Sequence, residues 1–318
     1  MTLNRFAKFA WFVVGYNILV ILWGAFVRAS GSGAGCGSHW PLCDGQVLPL
    51  NPSLERAIEF THRGMSGVAL LLVLGMLLWA FRAYPWGNVR YGALASAIFI
   101  IIEALIGAAL VLFGWVGMDK SVARVYTIAA HLVNTFLLLA ALTLTAWWAS
   151  GGKAINLRAR PMQTFAMSLG LLGLIVTGAA GALTALGDTL FPASSLAEGI
   201  AQDVNPAAHF LVQLRVVHPL IAVFVGMYLL YLTVMLNGEA GSATRKFALT
   251  LRLLVVAQIL AGGINVILLA PTWMQIVHLL LADVLWIVLV LYAASVLAPE
   301  PETAREPGVA ARAMAESV

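Results

Sequence analysis

Four histidines, His62, His131, His218 and His278, stand near the starts of four apolar helical runs. Imidazole nitrogens on facing helices of a bundle can ligate one iron between them. The second pair reads as a repeat of the first, so two bis-histidine heme sites are the simplest chemistry: His62 with His131, and His218 with His278. A hydrogen bond between helices is the other use of a membrane histidine. Four at matching places in a repeat argue for function, because polar groups inside a membrane are costly.

The elements that carry them are set by composition. Hydrophobic residues make up 61% of the chain and charged residues 10%, with a mean hydropathy of +0.93. That balance describes an integral membrane protein. A span needs about 20 mostly apolar residues, and about eight candidates follow, near 9–28, 60–80, 92–114, 124–148, 163–186, 209–236, 247–270 and 274–297. The first reads as a retained helix of a bacterial plasma-membrane protein and not as a cleaved leader.

Loop cations set the orientation. Arg5 and Lys8, Arg82 and Arg90, Lys153, Arg158 and Arg160, Arg245 and Lys246, and Arg305 and Arg312 fall on one side. That side is expected to be cytoplasmic, with both termini in. The basic pI of about 9.3 then reports topology, and nothing in the chain points to nucleic acid. The Pro-punctuated segment 299–318 is expected to be a disordered cytoplasmic tail.

Repetition organises the rest. Glu103 in EALIGAALV aligns with Gln258 in QILAGGINV, and Gly107 falls on Gly262 at the same offset. The expected fold is all-α, two pseudo-symmetric four-helix bundles over 1–150 and 151–298, inserted in the same orientation. Spans 2, 4, 6 and 8 then all run inward, which puts the four histidines in the outer half of the membrane.

Cys36 and Cys43, the only cysteines, lie in CGSHWPLC in the first outer loop. An oxidising location favours a disulfide between them. Free thiols are the other reading, and a zinc site would need more ligands than these two and His39. Glu103 and Asp283 fall inside spans, where each serves a proton path or a hydrogen bond between helices. His39 and His209 read as loop or interface residues, and GSGAG as a turn at the membrane surface.

The stretches VRASGSGAGCGSHWPLCDG, IEFTHRGMSG, TALGDTLFPAS and VVHPL, with the histidine of span 8, resemble the heme A synthase family over essentially the whole chain. The resemblance implies oxidation of the C8 methyl of heme O to the formyl group of heme A. It implies a heme b cofactor at His218 and His278, substrate heme at His62 and His131, an essential acid at Glu59, and a functional pair at Cys36 and Cys43. The first bundle would be the substrate half and the second the heme b half. From the residues themselves, Glu59 shares a helical face with His62 and could accept a proton beside a heme edge; capping its helix and pairing with Arg63 is the other reading.

Arg28, Arg63, Arg124 and Arg215 lie at the level of the histidines, where propionates would point, and interfacial anchoring explains them as well. A diheme b-type electron carrier is the alternative function, and a repeat-built transporter a third. Expected partners beyond membrane lipid are a heme O synthase, cytochrome oxidase assembly components and further copies of the chain. An electron acceptor is also required, since the chain carries no flavin or nicotinamide motif.

Overall fold

A computed structural model describes residues 3–236 and 241–298. The tail expected to be disordered, 299–318, lies outside the described residues, as do Arg305 and Arg312. Among the described residues there is no β-strand. The chain forms α1 (Arg5–Ala29), α2 (Leu54–Ala83), α3 (Asn88–Leu112), α4 (Val122–Ala149), α5 (Pro161–Leu190), α6 (Leu196–Asp203), α7 (Phe210–Gln213), α8 (Val217–Met235), α9 (Ser242–Ile267) and α10 (Thr272–Val296). Eight of the helical segments are long and apolar enough to cross a membrane, α7 and α8 counting together as Phe210–Met235. Helices suit that solvent because each backbone N–H and C=O finds its partner within the segment.

Local chemistry sets the helix starts. Asn4 accepts from Ala7 N–H at 2.7 Å, Ser53 from Arg56 N–H at 3.3 Å and Ser121 from Arg124 N–H at 3.2 Å, each side chain satisfying an orphan donor of a first turn. Pro161 opens α5, where its missing N–H costs nothing. The sixth span is broken into α7, a 3-10 turn over Leu214–Val216 and α8. Pro219 follows directly, and the hydrogen bond it cannot donate falls in this stretch. The short α6 was not expected from the sequence; Ser195 caps it by accepting from Glu198 N–H at 3.2 Å.

Packing arranges the helices in two closed circuits. The first runs α1–α2–α3–α4 and back to α1, and the second runs α5–α8–α9–α10 and back to α5. The circuits meet where α4 touches α5 and α10, and α1 touches α5 and α10. Consequently α4 and α10 are the innermost helices: 44% and 50% of their apolar windows are buried, against 22–28% in the other six spans. Phe136 of α4 and Trp286 of α10 stack at 5.0 Å, and Trp286 Nε1 donates to the Phe136 carbonyl at 2.7 Å. The indole's polar edge is thereby satisfied away from water.

Candidate functional site

The four histidines fall on helices that stand at alternate corners of the two circuits. His62 rides on α2 and His131 on α4; His218 rides on α8 and His278 on α10. Side chains from alternate corners meet in the interior. The His218 and His278 rings face each other with centroids 6.4 Å apart and planes nearly perpendicular at 87°. A metal between two imidazoles, with metal–nitrogen bonds of about 2 Å, sets ring centres roughly 6 Å apart. The donor set and its spacing therefore fit a heme iron. His62 and His131 are close enough to act on each other electrostatically.

Neighbouring groups hold these rings. The Thr177 carbonyl lies 3.1 Å from His218 Nδ1, which leaves Nε2 for a ligand when Nδ1 carries the proton. Glu103 Oε1 lies 3.3 Å from His131 Nδ1. The same carboxylate accepts from Asn134 Nδ2 at 2.6 Å and from the Thr135 hydroxyl, so its contacts run from α3 to α4. Gln258 Nε2 lies 3.3 Å from His278 Nε2. Asp283 contrasts with Glu103: it is fully buried and neither carboxyl oxygen has a hydrogen-bond partner among the described residues.

Gly24 and Gly181, together with Gly262, where an added Cβ would lie 3.2 Å from His278 Cε1, make room for the rings. A Cβ at Gly24 of α1 would lie 3.0 Å from His62 Cε1, and one at Gly181 of α5 would lie 2.9 Å from His218 Cε1. Any side chain there would displace the imidazole, so each histidine stands against bare helix backbone. The sequence reading passed over Gly24 and Gly181. Their signal was available, because Gly24 and Gly181 stand almost as far apart in sequence as His62 and His218 do.

The loop between α1 and α2 closes over the start of α2. Cys36 and Cys43 form a disulfide, as the oxidising location suggested. Glu59 is buried beneath it, accepting from Cys36 N–H through Oε2 at 2.8 Å and pairing through Oε1 with Arg63 at 2.5 Å. Arg63 also donates to the His39 carbonyl at 2.5 Å and to that of Leu42. Arg56 pairs with Asp44 at 2.5 Å. Glu59 thus sits one helical turn from His62 and makes the Arg63 pair that the sequence offered as its other reading, while its anchoring of the loop through Cys36 N–H was not legible there.

Arg28, Arg124 and Arg215, the other arginines placed at the level of the histidines, are engaged by protein groups. Arg124 donates to the Gly117 and Asp119 carbonyls, both at 2.7 Å. Arg215 reaches Asp188 at 3.2 Å and Asp203 at 3.0 Å. Arg28 donates to the Ala185 carbonyl and the Thr189 hydroxyl, both at 2.7 Å, and to Gln275 Oε1 at 2.8 Å. His209 caps α7 by accepting from Leu211 N–H at 3.3 Å and stacks on Phe191 at 5.0 Å, a loop role.

Comparison with known proteins places this arrangement. The profile of COX15-CtaA, described as cytochrome oxidase assembly protein, matches residues 7–290. The chain belongs to that family. It is 51% identical over 296 residues to a Thermus thermophilus protein named protoheme IX farnesyltransferase, covering 92% of this chain and 49% of that one. It is 45% identical over 98 residues to the heme A synthase of Shouchella clausii, covering 30% of this chain and 33% of that one. Against the heme A synthase of an Exiguobacterium strain it is 36% identical over 137 residues, 43% of this chain and 45% of the other. The chain spans about half or less of the length of these relatives. With eight helices among the described residues long and apolar enough to cross a membrane, this member of the family is a multi-pass membrane protein.

Proposed function

We propose that the chain is a heme A synthase, oxidising the C8 methyl group of heme O to the formyl group of heme A, with heme b as its resident cofactor at His218 and His278. The observation that carries this reading is the facing of those two rings at 6.4 Å in a chain of the COX15-CtaA family. A bound heme b supplies one-electron redox chemistry. Heme O is received between His62 and His131, in the half spanning 1–150, while the half spanning 151–298 is the heme b half. The two halves are related by a pseudo-twofold axis along the membrane normal. In support, Gly24 backs His62 as Gly181 backs His218, and the aligned residues Glu103 and Gln258 each stand beside a histidine, at His131 Nδ1 and at His278 Nε2. Both termini face the cytoplasm, on the strength of Arg5, Lys8, Arg82, Arg90, Lys153, Arg158 and Arg160.

Each protein group then has a physical task. Thr177 fixes the His218 tautomer, and Glu103 orients His131 and raises its basicity as a ligand. Glu59, one turn from His62, accepts a proton as the methyl group is oxidised. The disulfide loop covers that end of the substrate pocket and excludes water. His218 and His278 would hold the heme b, which when bound would supply the one-electron chemistry needed to hand electrons to an external acceptor.

The name of the Thermus relative favours a second reading, prenyl transfer to protoheme. The match takes in 49% of that protein, which leaves the other half of its length to carry the transferase. Transfer from a diphosphate also calls for carboxylates around Mg²⁺, whereas the polar groups gathered here are histidines. Expression in two hosts separates the readings. In a host limited to protoheme the chain yields no new heme, and in a host making heme O it yields heme A. Heme O appearing in the first host would establish the transferase.

A further inference from the structure

Arg28, near the end of α1, reaches two helices of the other circuit, α5 and α10. Its guanidinium is half-buried and donates to Ala185 O and Thr189 Oγ1 of α5 and to Gln275 Oε1 of α10. All three acceptors are neutral. Asp188 acts on it electrostatically from farther off and is itself paired with Arg215. A guanidinium stays protonated in a protein, so the junction carries a positive charge with no carboxylate bound to it.

The placement is informative along both helices. Gly24, which lies against His62, is four residues before Arg28 on α1, and Gln275 is three residues before His278 on α10. Each separation is about one helical turn, roughly 5 Å of rise. Gln275 is itself held by donating from Nε2 to the Ala270 carbonyl at 2.6 Å. A single rigid fork therefore runs from the turn behind one histidine site to the turn before the other.

We propose that Arg28 is a positioning residue joining the two histidine sites, and that its fixed charge raises the reduction potential of the group held by His218 and His278. This rests on the heme b reading above. Reduction adds one electron to the bound iron, and a positive charge in a low-dielectric interior favours the more negative form. Lysine cannot replace the fork, because its ammonium is a point charge without planar bidentate geometry.

The test is a potentiometric titration of heme b, followed by absorbance, in the full-length holoprotein and in R28Q, R28K and Q275L. R28Q shifts the midpoint to lower potential, and R28K, retaining the charge, shifts it less. Q275L keeps the arginine but cuts its hold on α10, and it moves the midpoint in the same direction as R28Q by a smaller amount. If R28Q fails to accumulate, Q275L decides. An unchanged midpoint in Q275L would overturn the proposal, since an arginine serving a propionate directly would not depend on that glutamine. A wild-type protein without redox-active heme b would instead overturn the reading of the site on which the proposal rests.

Discussion

Gln258 Nε2 lies 3.3 Å from His278 Nε2, while Glu103, which aligns with Gln258 in the sequence, has its Oε1 3.3 Å from His131 Nδ1. An amide faces one histidine and a carboxylate the other. On the heme reading the carboxylate beside Nδ1 would orient the ring and strengthen it as a ligand, whereas the amide contacts the nitrogen a heme iron would take. Glu103→Gln is therefore expected to lower heme A formation by about 10–100-fold, the usual cost of losing a partner behind a ligand, with heme b retained. The check is heme A yield beside heme b content; equal loss of both would tie Glu103 to the whole fold.

Axial ligation makes the sharpest division between the halves. His218→Ala and His278→Ala each remove an iron bond and should strip most heme b from the purified protein. His62→Ala, His131→Ala and Glu59→Gln should lower heme A formation with heme b largely in place. Full heme b with an unchanged low-spin spectrum in the first two variants would refute the ligand pair.

The glycines behind the rings give a steric test. Gly181→Val places atoms where His218 Cε1 now lies, and such overpacking costs about 1–3 kcal/mol. Heme b content or its spectrum should change. Gly24→Val should do the same to heme A formation through His62, sparing heme b. Wild-type behaviour of both variants would mean the rings move freely.

The disulfide acts locally. Closing so short a loop contributes roughly 2–3 kcal/mol in the chain-entropy model, and the loop it restrains supplies the Cys36 N–H to Glu59. Thiol labelling should fail before reduction and succeed after it. Replacing Cys36 and Cys43 with serine should lower heme A formation while heme b survives. Unchanged activity would leave the cross-link a stabilising staple.

Much of this was legible because a membrane narrows the choices. Apolar runs of the right length gave the eight spans, and the spacing of His62, His131, His218 and His278 gave the ligand candidates. What the sequence withheld depends on which corner of a circuit each helix takes. The reach of Arg28 to Gln275 spans 247 residues of sequence, and no local pattern announces it. Gly24 and Gly181 looked like ordinary small residues of a membrane helix until the imidazoles were seen against them. The short α6 and the break before His218 escaped because a hydropathy reading registers apolar length and not the loss of one N–H at Pro219.

The most direct measurement is the identity of the hemes extracted from membranes of a heme O-producing host, with and without this chain. The account predicts heme A only when the chain is present, and its loss with His62→Ala while heme b remains in the purified variant. Heme O alone in the presence of the wild-type chain, together with heme b in both halves of the purified protein, would contradict it and make the chain a diheme electron carrier.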